Sequence, residues 1–151
     1  MEISTRTLEY WTPEDFANLE KAETYKDLHT IAEVIISRMP KPFGQVCGPI
    51  ATGGLGSIEA NLHAFNETIK KLQSEGVEVF DQIPFEEPMQ KIKNHLKPGE
   101  YAEGILTDFY QPLFESGNID AFYFMPNWQT SRGANWEHRE AERLGIKIVY
   151  L

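Results

Sequence analysis

The chain has a single cysteine, Cys47. That excludes an internal disulfide and any metal site built from several thiolates. Its histidines, His29, His63, His95 and His138, show no spacing that would grip a metal from one helix face, and all are expected on the surface. No metal and no cofactor are expected. Apolar runs fall well short of the ~20 residues that span a bilayer, and Met1-Glu2-Ile3-Ser4 lacks a basic stretch leading into an apolar one. A cytoplasmic protein without membrane association is expected. Cations are scarce: 14 Lys and Arg face 23 Asp and Glu, a formal charge of −9. That disfavours a nucleic-acid polymer, whose affinity rests on neutralised phosphates. A single nucleotide needs only a few local donors and stays open.

What is present suits one domain. The 151 residues are 41% hydrophobic and 12% aromatic. A chain of this size buries roughly two-thirds of its unfolded surface. No internal repeat, low-complexity segment or linker divides it. The expected organisation is a helical extension over 1–44 and an α/β core over 45–151.

Thr12-Pro13-Glu14-Asp15 is a helix start, with a capping hydroxyl, a proline suited to the first turn and two acids at the positive end. Leu19, Ala22, Tyr25, Ala32, Ile35, Ile36 and Met39 continue near helical spacing until Pro40 and Pro42, as one long helix or two shorter ones. Gln45-Val46-Cys47 reads as a strand entering a glycine loop, Gly48 to Gly56. Ser57 then caps a helix striped by Ile58, Leu62, Phe65, Ile69 and Leu72 and closed by Gly76. Val77 to Phe80 is the next strand, parallel to the first. Between Asp81 and Gly104 the pattern weakens: Pro88 to Leu96 reads as a short helix, and Glu86-Glu87 as a solvated loop. A helix follows from about Ala102 to Ser116, kinked or restarted at Pro112. Ala121 to Met125 is an unbroken apolar strand, covered on both faces. Ser131 caps a last helix ending at Leu144-Gly145, and Ile146 to Tyr150 is the final strand. This β-α-β, helical excursion, β-α-β order implies an α/β fold of Rossmann-like, three-layer type with a short parallel sheet of about four to five strands.

Ligands in such sheets bind beyond the carboxyl ends of the strands. Two loops should meet there. Gly48-Pro49-Ile50-Ala51-Thr52-Gly53-Gly54-Leu55-Gly56 matches neither a dinucleotide fingerprint nor a Walker loop. Its glycines allow close backbone approach to a ligand, or simply a tight turn. The second loop is Asn127 to Arg132, running into Gly133 and Glu137. Glu137 shares a helix face with Ala134, Ala141 and Leu144, so its carboxyl is costly there unless paired. Helical side chains lean toward the N-terminus, so it would reach toward the mouth of the site, and the helix dipole is expected to keep it ionised. The alternative is a structural Glu bracing its own loop. Asp108, in register with Ile105, Phe109 and Leu113, is an ordinary solvated Asp unless it meets Glu137. Two carboxyls in one cleft would then divide acid and nucleophile roles. Cys47 is expected as a small core residue. Trp128 and Trp136 stack on a base or sugar, or serve the core.

Taken together, these residues resemble the nucleoside 2-deoxyribosyltransferase-like superfamily, in particular a small bacterial and phage branch related to nucleotide N-glycosidases. The matching stretches are Cys47 to Gly54 with Asn61, Phe65-Asn66 and Leu72 to Phe80; Asp108; and Met125-Pro126-Asn127-Trp128-Gln129-Thr130-Ser131-Arg132-Gly133-Ala134 with Glu137, Ala141 and Leu144-Gly145. The resemblance covers about 45 to 151 and implies a flavodoxin-like sheet. It implies that Glu137 attacks C1′ of a nucleoside sugar, that Asp108 helps protonate the leaving base, and that Gly48, Pro49, Ile50, Thr52, Gly53, Gly54, Asn127, Trp128, Ser131, Arg132 and Gly133 hold the substrate. Where active members often carry a first-strand Tyr, this chain has Gln45. A homo-oligomer, dimer or higher, is also implied. The expected function is an N-glycosidase or deoxyribosyltransferase acting on a nucleoside or nucleoside 5′-monophosphate. The alternative is a non-catalytic nucleotide-binding or sensing domain of the same fold.

Overall fold

The computed structural model describes residues 2–97 and 104–151. Three helices open it: α1 (Thr5–Leu8), α2 (Pro13–Lys21) and α3 (Tyr25–Arg38). The long apolar pattern thus divides into two, because it holds two start signals. Thr12 with Asp15 and Thr24 with Asp27 each form a reciprocal capping box. Ala22 between them takes an extended conformation and ends α2. The short α1, capped by Ser4, was not expected.

Strand β1 (Phe43–Cys47) leads to helix α4 (Ile58–Ser74) and strand β2 (Val79–Phe80). Helix α5 (Ile83–Asn94) follows, then a π-helical segment (Ile105–Tyr110) running into α6 (Gln111–Glu115). Strand β3 (Ile119–Phe124), a 3₁₀ turn (Trp128–Thr130), helix α7 (Arg132–Leu144) and strand β4 (Lys147–Tyr150) complete the chain. The four strands form one parallel sheet in the order β2-β1-β3-β4. From β1 the chain moves outward to β2, then returns to place β3 on the opposite side of β1. The connections leave β1 and β3 in opposite directions, so a crevice opens beyond their carboxyl ends.

Helix α5 starts well before the expected Pro88. Pro84 occupies its first turn, where a missing N–H costs nothing, and the Asp81 carboxylate accepts the Ile83 N–H at 2.9 Å. Pro112 likewise sits in the first turn of α6, so the excursion restarts there. The expected helix start at Ala102 lies outside the described residues. Strand β2 is shorter than Val77 to Phe80, although Glu78 still accepts the Gly44 N–H through its backbone at 2.8 Å. On α4 the buried stripe is Phe65, Ile69 and Leu72, while Ile58 is exposed.

The core lies on both sides of the sheet. Val46, Phe65, Ile69, Leu72 and Val79 pack between the sheet and α4. Opposite, Phe43, Phe80, Phe122 and Phe124 meet Leu28, Ile35, Phe85, Phe109 and Leu113 from α3, α5, the π segment and α6. Helices α2 and α3 therefore share the main core, and α3 lies directly on the π segment.

Candidate functional site

A cavity of about 630 Å³ opens where the fold predicts it, within the ~300–1,000 Å³ of small-molecule sites. The β1 end contributes Gly48, Ile50 and Thr52. The opposite wall is Gln82, Glu86, Met89 and Lys93 of the α5 region with Ile105, Leu106 and Tyr110 of the π segment. The third side is the start of α7, from Ser131, Arg132 and Gly133 to Glu137 and Arg139.

The two loops are zipped to each other. Gly54 N–H donates to Thr130 Oγ1 at 2.8 Å, and Arg132 N–H donates to Thr52 Oγ1 at 3.1 Å. Gly53 has φ +69°, and a Cβ there would collide with the Thr130 carbonyl. Gly54 packs as tightly on Pro49 and Asn61. Pro49, Gly53 and Gly54 therefore shape the loop and do not line the cavity. Asn127 and Trp128 also lie outside it. Asn127 makes a left-handed turn at φ +67°. Trp128 stacks on His138, ring centroids 4.5 Å apart and planes within 4°. His138 is half-buried rather than free on the surface: its Nε2 lies 2.7 Å from the Tyr150 hydroxyl and its Nδ1 3.0 Å from Glu142. His29 is half-buried beside Phe109, whereas His63 and His95 are exposed. Trp136 lines the cavity and packs on Phe114.

Ser131 caps α7 by accepting the Ala134 N–H, which sets the register that turns Glu137 inward. Glu137 is 9% exposed. Burial, reinforced by the neighbouring Glu86 carboxyl, raises its pKa to about 8. The Cys47 thiol, 3.4 Å from Oε2, opposes the rise by donating to the carboxylate. Gln45 opposes it least, and neither of its amide atoms has a hydrogen-bond partner of normal geometry. The expectation that the helix N-terminus keeps Glu137 ionised is thus corrected. Glu137 lies beyond the first turn of α7, where the dipole has faded, and Ser131 and Thr52 occupy nearby N–H groups.

Glu86 is the second carboxyl of the cavity. Its flanking prolines suggest a solvated loop, but α5 begins early enough to place it on the buried face with Ile83 and Met89. It is 8% exposed, and burial raises it to about 7 while the facing Tyr110 hydroxyl opposes the rise. Tyr110 is itself held well above its ordinary value by burial, then by Glu86, Glu137 and Cys47. Burial raises both carboxyls, Glu137 the further of the two, so Glu137 holds the last proton of the pair. Near neutral pH the pair is poised between one proton and two.

Asp108 lies half-buried on the π segment, its Oδ1 3.5 Å from the Thr107 hydroxyl, and it does not line this cavity. Cys47 is fully buried, as expected of a core residue, yet it also touches Glu137. Lys93, Arg132 and Arg139 are exposed at the rim, without an ion pair to any described residue. Among the described residues no three His, Cys, Asp or Glu side chains converge as metal ligands.

The family model described as a domain of unknown function, DUF4406, matches residues 46–150. A curated relative, the bifunctional protein GlmU of Levilactobacillus brevis, is 30% identical over 129 residues, or 78% of this chain. The match takes in 27% of that protein, so the chain spans about a quarter of its relative's length. No solved structure matches.

Proposed function

The chain belongs to the DUF4406 family, and from the geometry of its cavity we propose that it cleaves the N-glycosidic bond of a nucleoside or nucleoside 5′-monophosphate. It acts as an N-glycosidase or deoxyribosyltransferase with Glu137 as nucleophile. The observation that carries this reading is the pair of buried carboxyls, Glu86 and Glu137, in one cavity at the sheet's switch point. Retaining glycosyl chemistry needs one ionised carboxyl and one protonated one at the same moment. With one proton between them the pair holds it mainly on Glu137, and the reactive arrangement is the one in which that proton has moved to Glu86 and left Glu137 ionised. The resemblance of the α7 loop and Glu137 to the nucleoside 2-deoxyribosyltransferase-like superfamily supports the same assignment.

In the first step Glu137 Oε forms a bond to C1′ as the C1′–N bond breaks, and its electrons pass to the base. In the second, water or an incoming base attacks C1′ and releases the Glu137 carboxylate. Lys93, Arg132 and Arg139 give an acidic chain three cations around one opening, unpaired among the described residues, which suits a substrate phosphate. The test is incubation with nucleosides and their monophosphates, with chromatography for free base. Base release that disappears in Glu137→Ala supports the reading. Release that persists in Glu137→Gln removes it.

A second reading, a nucleotide-binding domain without turnover, draws on the raised Glu137, which lacks a charge until it loses its proton. Nucleotide binding in a calorimeter without base release from any substrate would favour it.

A further inference from the structure

We propose that Gln82 and Glu86, one turn apart on the α5 wall, form the subsite for the leaving base, read an amino-bearing base such as adenine, and supply the proton on which it departs. This rests on the glycosidase reading above.

Gln82 is 2% exposed and lines the cavity. Its Nε2 donates to the Val46 carbonyl at 3.1 Å, which fixes the amide and leaves Oε1 without a partner. A buried acceptor without a partner, on a side chain that lines a cavity, is costly unless a small shift lets a ligand supply the donor. Glu86 lies one turn further on, so both side chains reach the same stretch of wall. Opposite them stands Glu137, and the three cations occupy the exposed rim. A nucleotide whose phosphate meets the rim and whose C1′ meets Glu137 directs its base toward α5. There the apolar Met89, Ile105 and Leu106 offer it faces to lie against.

When the pair's proton lies on Glu86, the wall presents an acceptor, Gln82 Oε1, beside a donor, the Glu86 carboxyl. Its complement is a ring nitrogen next to an exocyclic amino group, as at N7 and N6 of adenine. Hypoxanthine carries an oxygen in place of the amino group and would set two acceptors together. As the C1′–N bond breaks, the Glu86 proton passes to the ring nitrogen and the bond electrons stay on the base. Glu86 is then a carboxylate, opposite the new C1′–Glu137 ester. It takes a proton from the water that adds to C1′, which restores both carboxyls. The Tyr110 hydroxyl faces Glu86 and stabilises that carboxylate.

The test compares adenine, hypoxanthine and 7-methylpurine substrates in the wild type, Gln82→Leu and Glu86→Gln. A 7-methylpurine leaves without a proton. The wild type is expected to favour adenine over hypoxanthine by ~10-fold or more in kcat/KM. Gln82→Leu should lose that preference. Glu86→Gln should lose ~10²–10⁴-fold on adenine and only a few-fold on the methylated base. Equal losses on both substrates, or no wild-type preference for adenine, would overturn the proposal. Gln82→Leu also removes the bond to Val46, so the preference of the wild type itself keeps the test valid if that variant does not fold. Binding of free adenine and hypoxanthine, followed by thermal shift, separates the two readings. If adenine binds selectively but no substrate is cleaved, the glycosidase reading fails and the base subsite stands. If neither base binds, the subsite fails.

Discussion

Glu137 carries the largest burden of any single side chain. Under the proposed mechanism, substituting Gln keeps its shape and removes the attacking oxygen, so turnover should fall by at least ~10³-fold with little change in substrate affinity. Steady-state kinetics beside calorimetry would separate the two effects. Cys47 acts on Glu137 through a donated hydrogen bond. Cys47→Ala removes a donor that favours the carboxylate, so the acid-side limb of the activity profile, set by ionisation of Glu137, should move to higher pH. A Cys47→Ser variant, which retains a donor, should shift it less. Glu137 was legible in the sequence because a carboxylate on a helix's apolar face contradicts its own pattern. Glu86 was not, because it stands between two prolines that look like loop punctuation. The register of Ile83, Glu86 and Met89 held the signal, and it becomes readable once Pro84 is taken as a first-turn residue.

At the scale of elements, the two loops above the sheet behave as one piece. Gly53 combines φ +69° with contact against Thr130, so Gly53→Ala is both strained and crowded. It should cost ~1–3 kcal/mol, lower the melting temperature and weaken ligand binding together. Thr24→Ala, far from the cavity, removes one half of a capping box and should cost about 1 kcal/mol of stability while leaving activity unchanged. Thermal denaturation of both variants beside the activity assay distinguishes them. The parallel α/β order could be read from the alternation of apolar stripes and turn signals. The π segment could not. Its apolar spacing is compatible with an ordinary helix, and what sets it apart, its packing on the distant α3, is not visible in local spacing.

For the molecule as a whole, proton binding sets the shape of the stability curve. Glu137, Glu86 and Asp81 are all raised by burial, so the folded state holds protons that the unfolded chain has released. Their stabilising effect is complete below the ordinary carboxylate range. It fades as pH climbs toward about 7 for Glu86 and about 8 for Glu137. Asp15 works the other way. Against the burial that opposes it, Arg38 and Thr12 hold it below its ordinary value, so its contribution is lost in acid. The melting temperature should therefore be greatest near the ordinary carboxylate range, at about pH 4 to 5, and decline on the alkaline side. Glu137→Gln should flatten that decline, adding up to a few kcal/mol at pH ~9 and almost nothing at pH ~5. Denaturation across pH with both proteins checks the sign.

The buried Asp81 ties the N-terminus to the cavity. One oxygen holds the first turn of α5 through Ile83, and the other accepts the Thr7 hydroxyl of α1 at 2.6 Å. Arg6 and Tyr10 fasten the same segment to Glu78 just ahead of it. A laboratory that trimmed the gene to the span shared with the family, starting near residue 46, would cut away the clamp behind the helix that presents Gln82 and Glu86. The stretch needed to hold this helix is therefore longer than the span the family model covers, and expression boundaries should be drawn upstream of Ser4.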